Sequence, residues 1–280
     1  MIQIKNLGYA YDSKGSAGNY VLKNINMSLE EGRIYGLLGE NGVGKTTLLT
    51  LLCGLKKPLC GSIDTDGLKP YDREPSLLGS QYYLSDEVAA MNMKAREYAD
   101  NYGRFWGGFD MEKFIEIMGV FENDPGKKMS KMSFGQLKKT YIAFALACNA
   151  KYLFMDEPTN GLDIPSKAQF RKAVTKYTRE DSVILISTHQ VRDLENIIDP
   201  IIILDKQDVL MNATIAEISE KLYFDYTTEK VEDALYSEMI PGGNIQVYLN
   251  QTEEESKVNI EALFNTVLKH KELIKGIFNK

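Results

Sequence analysis

Residues 39–47 read GENGVGKTT and fit the phosphate-binding loop pattern G-x-x-x-x-G-K-[ST]. This pattern turns consecutive backbone N–H groups toward one anion, and the helix that begins here adds its partial positive charge. Lys45 is expected to reach the β- and γ-phosphates of a nucleotide, and the Thr46 hydroxyl to ligate Mg²⁺. Gly42 and Gly44 let the backbone approach the phosphate oxygens, because glycine has no Cβ. The motif predicts a nucleoside triphosphate site.

The segments beside the motif support this prediction. The apolar run 34–38 predicts a buried strand, and the leucine-rich run 46–53 predicts a helix that ends at Gly54. A strand, a glycine-rich loop and a helix are the setting that a phosphate loop requires. The alternative is a glycine turn that merely closes an ordinary strand–helix unit.

A second candidate site follows the apolar strand 152–155, which ends in Asp156 and Glu157. A carboxylate at the C-terminal edge of a sheet beside a phosphate loop can hold Mg²⁺ through water, which is the role expected of Asp156. Glu157 is then placed to orient and deprotonate the attacking water. The strand 183–187 delivers His189 to the same edge. The alternative for the two acids is that they merely end a strand before a proline turn. The alternative for His189 is a structural role.

The aromatic residues Tyr9 and Tyr11 lie shortly before the phosphate loop, and the residues alone leave their role open. They could stack on a nucleotide base or pack against each other. A polar loop, residues 12–19, follows them.

Composition limits the function classes. The 280 residues include 33 Lys and Arg against 39 Asp and Glu, a net charge of −6, which argues against nucleic acid as the main partner. Cys53, Cys60 and Cys148 have neither paired nor metal-ligand spacing and indicate reduced thiols in a cytoplasmic protein. No apolar run approaches the roughly 20 residues that span a bilayer.

The predicted organisation is α/β with a helical insertion at about residues 86–149. Helical periodicity occurs at 93–102, 111–121 and 137–148. Trp106 and Phe109 fall near a glycine-rich interruption, where they could pack in the helical bundle or contact a partner. Beyond the core, the pattern predicts strands at 223–227 and 245–249 and one closing amphipathic helix at 258–277.

Together these motifs resemble those of an ATP-binding cassette ATPase, the nucleotide-binding subunit of ABC transporters. The resemblance covers about residues 1–215 and rests on five motifs in the family's order. Residues 133–136, Ser-Phe-Gly-Gln, match the signature usually written L-S-G-G-Q, from which Met132 and Phe134 depart. The other matches are Walker A at 39–47, Walker B with its catalytic glutamate at 152–157, the D-loop at 160–163, and the switch histidine at 188–189.

The resemblance implies a set of functional residues. Glu157 and His189 are the expected catalytic residues, and Thr46 and Asp156 the expected Mg²⁺ ligands. Members of the family normally have a glutamine that senses the metal ion. In this chain two residues are candidates for that position, Gln81 and Asp86. The expected ATP-binding residues, with Tyr11 now assigned to the adenine, are Tyr11, Gly39, Asn41, Gly42, Gly44, Lys45, Thr46, Thr47, Ser133, Gly135, Gln136 and Asp163.

The resemblance also implies the architecture and partners. The expected fold is a P-loop NTPase with a RecA-like core, an antiparallel β subdomain and an inserted helical subdomain. The ATPase domain is expected over residues 1–218, and a small α+β accessory region similar to that of bacterial ABC-2-type exporter ATPases over 219–280. Two such chains, or one chain and a related cassette, would sandwich two ATP molecules, each between Lys45 of one chain and Ser133 of the other.

The implied function is the energising subunit of a membrane transporter, with an exporter favoured. The chain would lie on the cytoplasmic face of the membrane beside a multi-span permease, with no nucleic acid partner. The rival is a soluble ABC ATPase of translation or DNA maintenance, which usually carries two cassettes or a long coiled coil. A P-loop kinase fits less well, because it lacks a Ser-x-Gly-Gln signature and a switch histidine.

Overall fold

The computed structural model describes residues 1–12, 20–228, 233–251 and 254–278. Most of the predicted loop 12–19 and part of the acidic run 253–255 lie outside these residues. The strands of the described chain are β1 Ile2–Tyr9, β2 Leu22–Leu29, β3 Arg33–Leu38, β4 Cys60–Thr65, β5 Gln81–Leu84, β6 Tyr152–Asp156, β7 Val183–Thr188, β8 Ile201–Asp205, β9 Asp208–Ala213, β10 Leu222–Thr227, β11 Tyr236–Ile240 and β12 Gly243–Leu249.

The helices lie between and after these strands, and three of them follow one another before β6. The helices are α1 Lys45–Leu52, α2 Pro75–Leu78, α3 Ala95–Gly103, α4 Met111–Val120, α5 Phe134–Ala147, α6 Ile164–Tyr177, α7 Ile215–Lys221, α8 Ile260–Lys269 and α9 Lys271–Phe278.

A six-stranded sheet in the order β5-β6-β7-β3-β8-β9 forms the centre of the molecule. All its strands except β9 run parallel. Strands β6, β7 and β8 are buried along their whole length, which explains their continuous apolar sequences. Because β3, β6 and β7 are parallel neighbours, their C-terminal ends meet at one edge, where the predicted chemistry lies.

A second sheet of three antiparallel strands, in the order β2-β1-β4, packs on this centre. It buries one face, with Ile2, Ile4 and Leu7 of β1 fully or almost fully covered. This sheet confirms the predicted antiparallel subdomain and brings Tyr9 and Tyr11, at the end of β1, close to α1.

The predicted helical insertion is formed by α3, α4 and α5, whose apolar faces share one core with β5. Asp110 caps α4 by accepting a hydrogen bond from the Lys113 N–H, and Ser133 caps α5 by accepting one from the Gln136 N–H. Phe109 packs on Phe144 in this core, which is the packing role that the sequence allowed.

The region after α7 differs from the expected pattern in two respects. A third strand, β11, joins β10 and β12 in a small antiparallel sheet. The single helix expected at 258–277 is divided into α8 and α9 at His270, whose Nε2 lies 2.7 Å from the Leu235 carbonyl oxygen. The helical periodicity continues through this break, so it could not be seen in the sequence. Lys271 and Lys275 pair with Asp205 and Asp208 and hold α9 on the β8–β9 hairpin.

Within the described ranges, none of the helices combines the length and apolar composition needed to cross a bilayer.

Candidate functional site

The phosphate loop connects β3 to α1 and folds in the way the pattern requires. Gly44 precedes the first helical residue with φ of 110°, a left-handed conformation that suits glycine. A Cβ on Gly39 would come 2.5 Å from the Leu204 carbonyl oxygen, so this position also needs glycine. A cleft of about 390 Å³ opens beside the loop, and its walls include Tyr11, Asn41, Gly42, Gly44, Lys45, Thr46, Thr47, Asp86, Asp156 and Glu157.

Lys45 is nearly buried at 6% exposure, and its Nζ donates hydrogen bonds to the carbonyl oxygens of Gly39 and Glu40. It also lies 3.6 Å from Oε1 of Glu157. Burial lowers the pKa of Lys45, while the carboxylates of Glu157 and Asp156 act in the opposite direction. The loop therefore carries a cation that is already directed toward the acids of the neighbouring strand.

Asp156 ends β6, and its carboxylate contacts three hydroxyl groups of neighbouring elements. Its Oδ2 accepts a hydrogen bond of 2.6 Å from the Thr46 hydroxyl, and its Oδ1 accepts one of 2.5 Å from Ser187. The Tyr83 hydroxyl lies 3.3 Å from Oδ2. The sequence reasoning missed Ser187 and Tyr83. Ser187 could have been found from strand order, because it pairs in register with Asp156 across β6 and β7.

Glu157 follows Asp156 with φ of 45°, so the chain turns sharply as it leaves the strand. The backbone N–H of Glu157 is held by the Ser187 carbonyl oxygen and hydroxyl. Its carboxylate Oε1 lies 3.0 Å from Nδ1 of His189. The expected catalytic pair is thus in direct contact at the C-terminal edge of the sheet.

Tyr11 lies beside the cleft, with its ring 64% exposed. It meets the ring of Tyr9 edge-on at 5.3 Å, and its hydroxyl lies 2.9 Å from the Thr47 hydroxyl. Its position is therefore compatible both with packing against Tyr9 and with stacking on a nucleotide base, because the residue remains largely exposed.

The two candidates for the metal sensor lie in different places. Gln81 begins β5, at the edge away from the cleft, where its amide donates to the Cys53 carbonyl oxygen. Asp86 follows the end of β5 and lines the cleft. Because sequence spacing did not show where β5 ends, only the structure separates these residues, and it brings Asp86 to the cleft.

The signature residues lie outside this cleft. Ser133 and Gly135 stand at the start of α5, and the side chain of Gln136 is occupied within its own capping box and by Lys127. Asp163 caps α6 by accepting a hydrogen bond from the Ser166 N–H, so its carboxylate is also used locally. These four residues are not brought to the phosphate loop of their own chain.

The geometry can be compared with known proteins. The family model described as ABC transporter matches residues 22–160. The ABC transporter ATP-binding protein NatA of Bacillus subtilis is 28% identical over 77% of this chain and 87% of its own. YtrB, a second ABC transporter ATP-binding protein of Bacillus subtilis, is 27% identical over 92% of this chain and 89% of its own. The residues matched by the family model include the phosphate loop, residues 133–136 and the strand-end acids.

Residues 22–160 of this chain are an ABC transporter domain. The solved structure of the cassette MJ0796 bound to ADP and Pi, in a dimeric post-hydrolysis state, superposes with a TM-score of 0.66 at 24% identity, over 76% of this chain and 98% of that one. This similarity confirms the fold expected from the sequence. In this ABC cassette the phosphate loop, Asp156, Glu157 and Asp86 line one cleft, His189 contacts Glu157, and residues 133–136 do not line that cleft.

Proposed function

We propose that this ABC cassette binds and hydrolyses ATP to energise a membrane transporter. The observation that carries the proposal is the convergence of Lys45, Thr46, Asp156, Glu157 and His189 at one edge of the central sheet. Burying ionisable groups costs free energy unless they are paired, so packing of the core gives no reason to bring these side chains together. Such a cluster is typical of a functional site.

Each residue has a part that follows from its position. The amides of residues 41–47 and the Lys45 ammonium bind the phosphates. Glu157 accepts the proton of the attacking water, since its carboxylate is the nearest base to Lys45. His189 orients that carboxylate through the 3.0 Å contact and is placed to donate to the γ-phosphate.

The oxygen donors beside Lys45 suit Mg²⁺. The Thr46 hydroxyl and the Asp156 carboxylate already approach within 2.6 Å of each other, and hard oxygen ligands are those that Mg²⁺ prefers. These two residues would hold the ion, and Asp86, which lines the same cleft, would contact it through water. The ion would neutralise charge on the β- and γ-phosphates.

A second cassette would complete the site. The N-terminus of α5, with Ser133 and Gly135, does not line the cleft of its own chain and suits a γ-phosphate held by another chain. Two large apolar side chains stand exposed on the same surface, Phe134 at 51% and Ile164 at 84%. The dimer of the cassette MJ0796 supports this arrangement, in which a homodimer or a pair with a related cassette is formed.

A permease would dock in an apolar groove of about 600 Å³ between the central sheet and the helical insertion. Leu55 and Phe105 stand at its rim, 54% and 64% exposed. Trp106 lines the groove while its indole N–H donates to the Gln81 carbonyl oxygen, so it both packs and presents a surface. Such a groove on a chain of net charge −6 favours a protein partner over nucleic acid.

The cassette would then act at the cytoplasmic face of the membrane. Export is favoured because residues 259–264 are similar to the C-terminal end of ABC-2-type exporter ATPases. Hydrolysis would remove the γ-phosphate contacts that hold the two cassettes together, and the resulting opening would move the permease.

Two measurements test the proposal. Purified protein should release phosphate from ATP, and Lys45→Ala should abolish this release. Affinity purification from detergent-solubilised membranes of native cells should recover a multi-span protein in stoichiometric amount, and Phe105→Ser should reduce the recovery. Recovery with ribosomes or DNA instead would favour the soluble ATPase and reject the transporter role.

A further inference from the structure

Lys138 has a fully buried side chain, with 0% exposure. Lysine is almost never buried to this extent unless it is paired. It lies on α5, five residues after Ser133. Its ammonium donates to the Asp86 carboxylate at 3.0 Å and to the carbonyl oxygens of Asp86 and Ser85 at 2.8 and 3.5 Å.

Asp86 is the other half of this pair and lines the nucleotide cleft. Its two carboxylate oxygens each lie 3.3 Å from the side-chain amide nitrogen of Asn160, in the loop after β6. One carboxylate therefore joins three segments: the loop after β5, the helix that begins at the signature, and the loop that follows Glu157. Nothing in the family motifs assigns Lys138 a role in this junction.

The charges around the cleft show why the pair matters for nucleotide binding. Three carboxylates, those of Asp86, Asp156 and Glu157, line it together with the ammonium of Lys45. Burial lowers the pKa of Lys138, and the acids, Asp86 first, act to raise it. Without Lys138, the Asp86 carboxylate would be left without its closest cation in a cleft that receives a polyanion.

We propose that Lys138 is a positioning residue for nucleotide binding, which fixes Asp86 at the cleft and neutralises it there. The proposal rests on the proposed ATPase function and deepens it. A lysine whose role is only structural would stabilise the fold, and its loss would leave nucleotide affinity unchanged in protein that remains folded.

The test measures binding of a fluorescent ATP analogue in EDTA, so that neither metal nor turnover contributes. Lys138→Met should weaken binding by about fivefold or more, because an unbalanced carboxylate then faces the triphosphate. Lys139→Met is the matched control, since Lys139 is next on the same helix but contacts Ser166. Adding Asp86→Asn to Lys138→Met removes the unbalanced charge and should restore affinity to within about twofold of wild type.

Hydrogen exchange in the nucleotide-free protein tests positioning separately. Amides of residues 85–92 should exchange faster in Lys138→Met than in Lys139→Met. If Lys138→Met does not fold, Asp86→Asn breaks the same pair and should give the same faster exchange.

The proposal is overturned if Lys138→Met binds the analogue as Lys139→Met does, or if the double variant binds as weakly as Lys138→Met. Weakened binding without faster exchange would also overturn it, because Lys138 would then act only as a distant charge. A wild-type protein that binds the analogue neither in EDTA nor with Mg²⁺ would reject the proposed function instead, and the exchange comparison would still report on the pair.

Discussion

His189 and Glu157 are in contact: Nδ1 of the imidazole lies 3.0 Å from Oε1 of the carboxylate. The Glu157 side chain is only 12% exposed, and the same Oε1 lies 3.6 Å from the Lys45 ammonium. One oxygen of the carboxylate therefore contacts both a phosphate-loop cation and a histidine that follows a different strand.

This geometry predicts the effect of Glu157→Gln. The amide keeps the shape of the side chain but cannot accept a proton, so ATP hydrolysis should fall by about 10²–10³-fold while ATP binding persists. Phosphate release and equilibrium binding of an ATP analogue measure the two effects. Glu180→Gln is the control, because Glu180 is exposed and precedes β7 at the opposite edge of the sheet. Hydrolysis at the wild-type rate would remove Glu157 from the role of base.

The two histidines of the chain give a matched comparison. His189→Ala removes the group that orients Glu157 and should lower the turnover rate by about 100-fold. His270→Ala removes the 2.7 Å contact with the Leu235 carbonyl oxygen, so it should cost about 1 kcal/mol of stability and leave turnover unchanged. Steady-state kinetics and urea unfolding separate these outcomes. Equal losses of turnover in both variants would contradict the assignment.

Tyr83 is predicted to support the metal ligand. Burial, and next the negative charge of Asp156, raise the pKa of Tyr83, so its hydroxyl stays protonated and can donate to that carboxylate. Tyr83→Phe should raise the Mg²⁺ concentration for half-maximal activity by about tenfold. Loss of a side chain that hydrogen-bonds to a metal ligand commonly has an effect of this size. Tyr82→Phe is the control, because its ring packs against Trp106 and Phe144 instead. The same Mg²⁺ dependence in both variants would argue against this support.

The interactions of Asp66 should make part of the free energy of unfolding depend on pH. Partial burial acts to raise its pKa, but hydrogen bonds from Lys151, the terminal amine and Tyr152 hold it below its ordinary value. A folded-state pKa below the unfolded value contributes stability above about pH 4, which is lost as the pH falls through the folded value. Asp66→Asn should therefore cost about 1 kcal/mol at pH 7, because the pair is partly exposed, and less at pH 3.

Urea unfolding at both pH values measures this difference. Asp100→Asn, at an exposed position on α3, should show no such change between pH 7 and pH 3. A gap between Asp66→Asn and wild type that widened at low pH would contradict the predicted sign.

The cysteines should differ in reactivity. Cys60 is exposed, whereas burial raises the pKa of Cys53 to about 11 and also raises that of Cys148. Thiolate is the reactive form, so native protein at pH 8 should react rapidly with one equivalent of a thiol reagent. Cys60→Ser should abolish this fast phase, and its persistence would show that a buried cysteine is accessible.

The motifs and the elements that carry them can be recognised from the amino-acid sequence alone. The phosphate loop is encoded in nine adjacent residues, because its function depends on consecutive backbone amides and on the helix that follows. The strands 152–156 and 183–188 were visible as short apolar runs, and their parallel packing follows from the alternation of strands and helices. The strand-end position of Asp156, Glu157 and His189 could therefore be predicted.

Which distant side chains meet depends on how the folded chain packs. Asp86 and Lys138 form a pair although they are 52 residues apart in the sequence. No sequence periodicity indicates that Asp86 lines the cleft and Gln81 does not. The break at His270 was equally hidden, because the Leu235 carbonyl that meets its ring lies 35 residues away. Local patterns fix backbone conformation over a few residues, whereas such pairs depend on how whole elements pack, and that packing is set by the complete core.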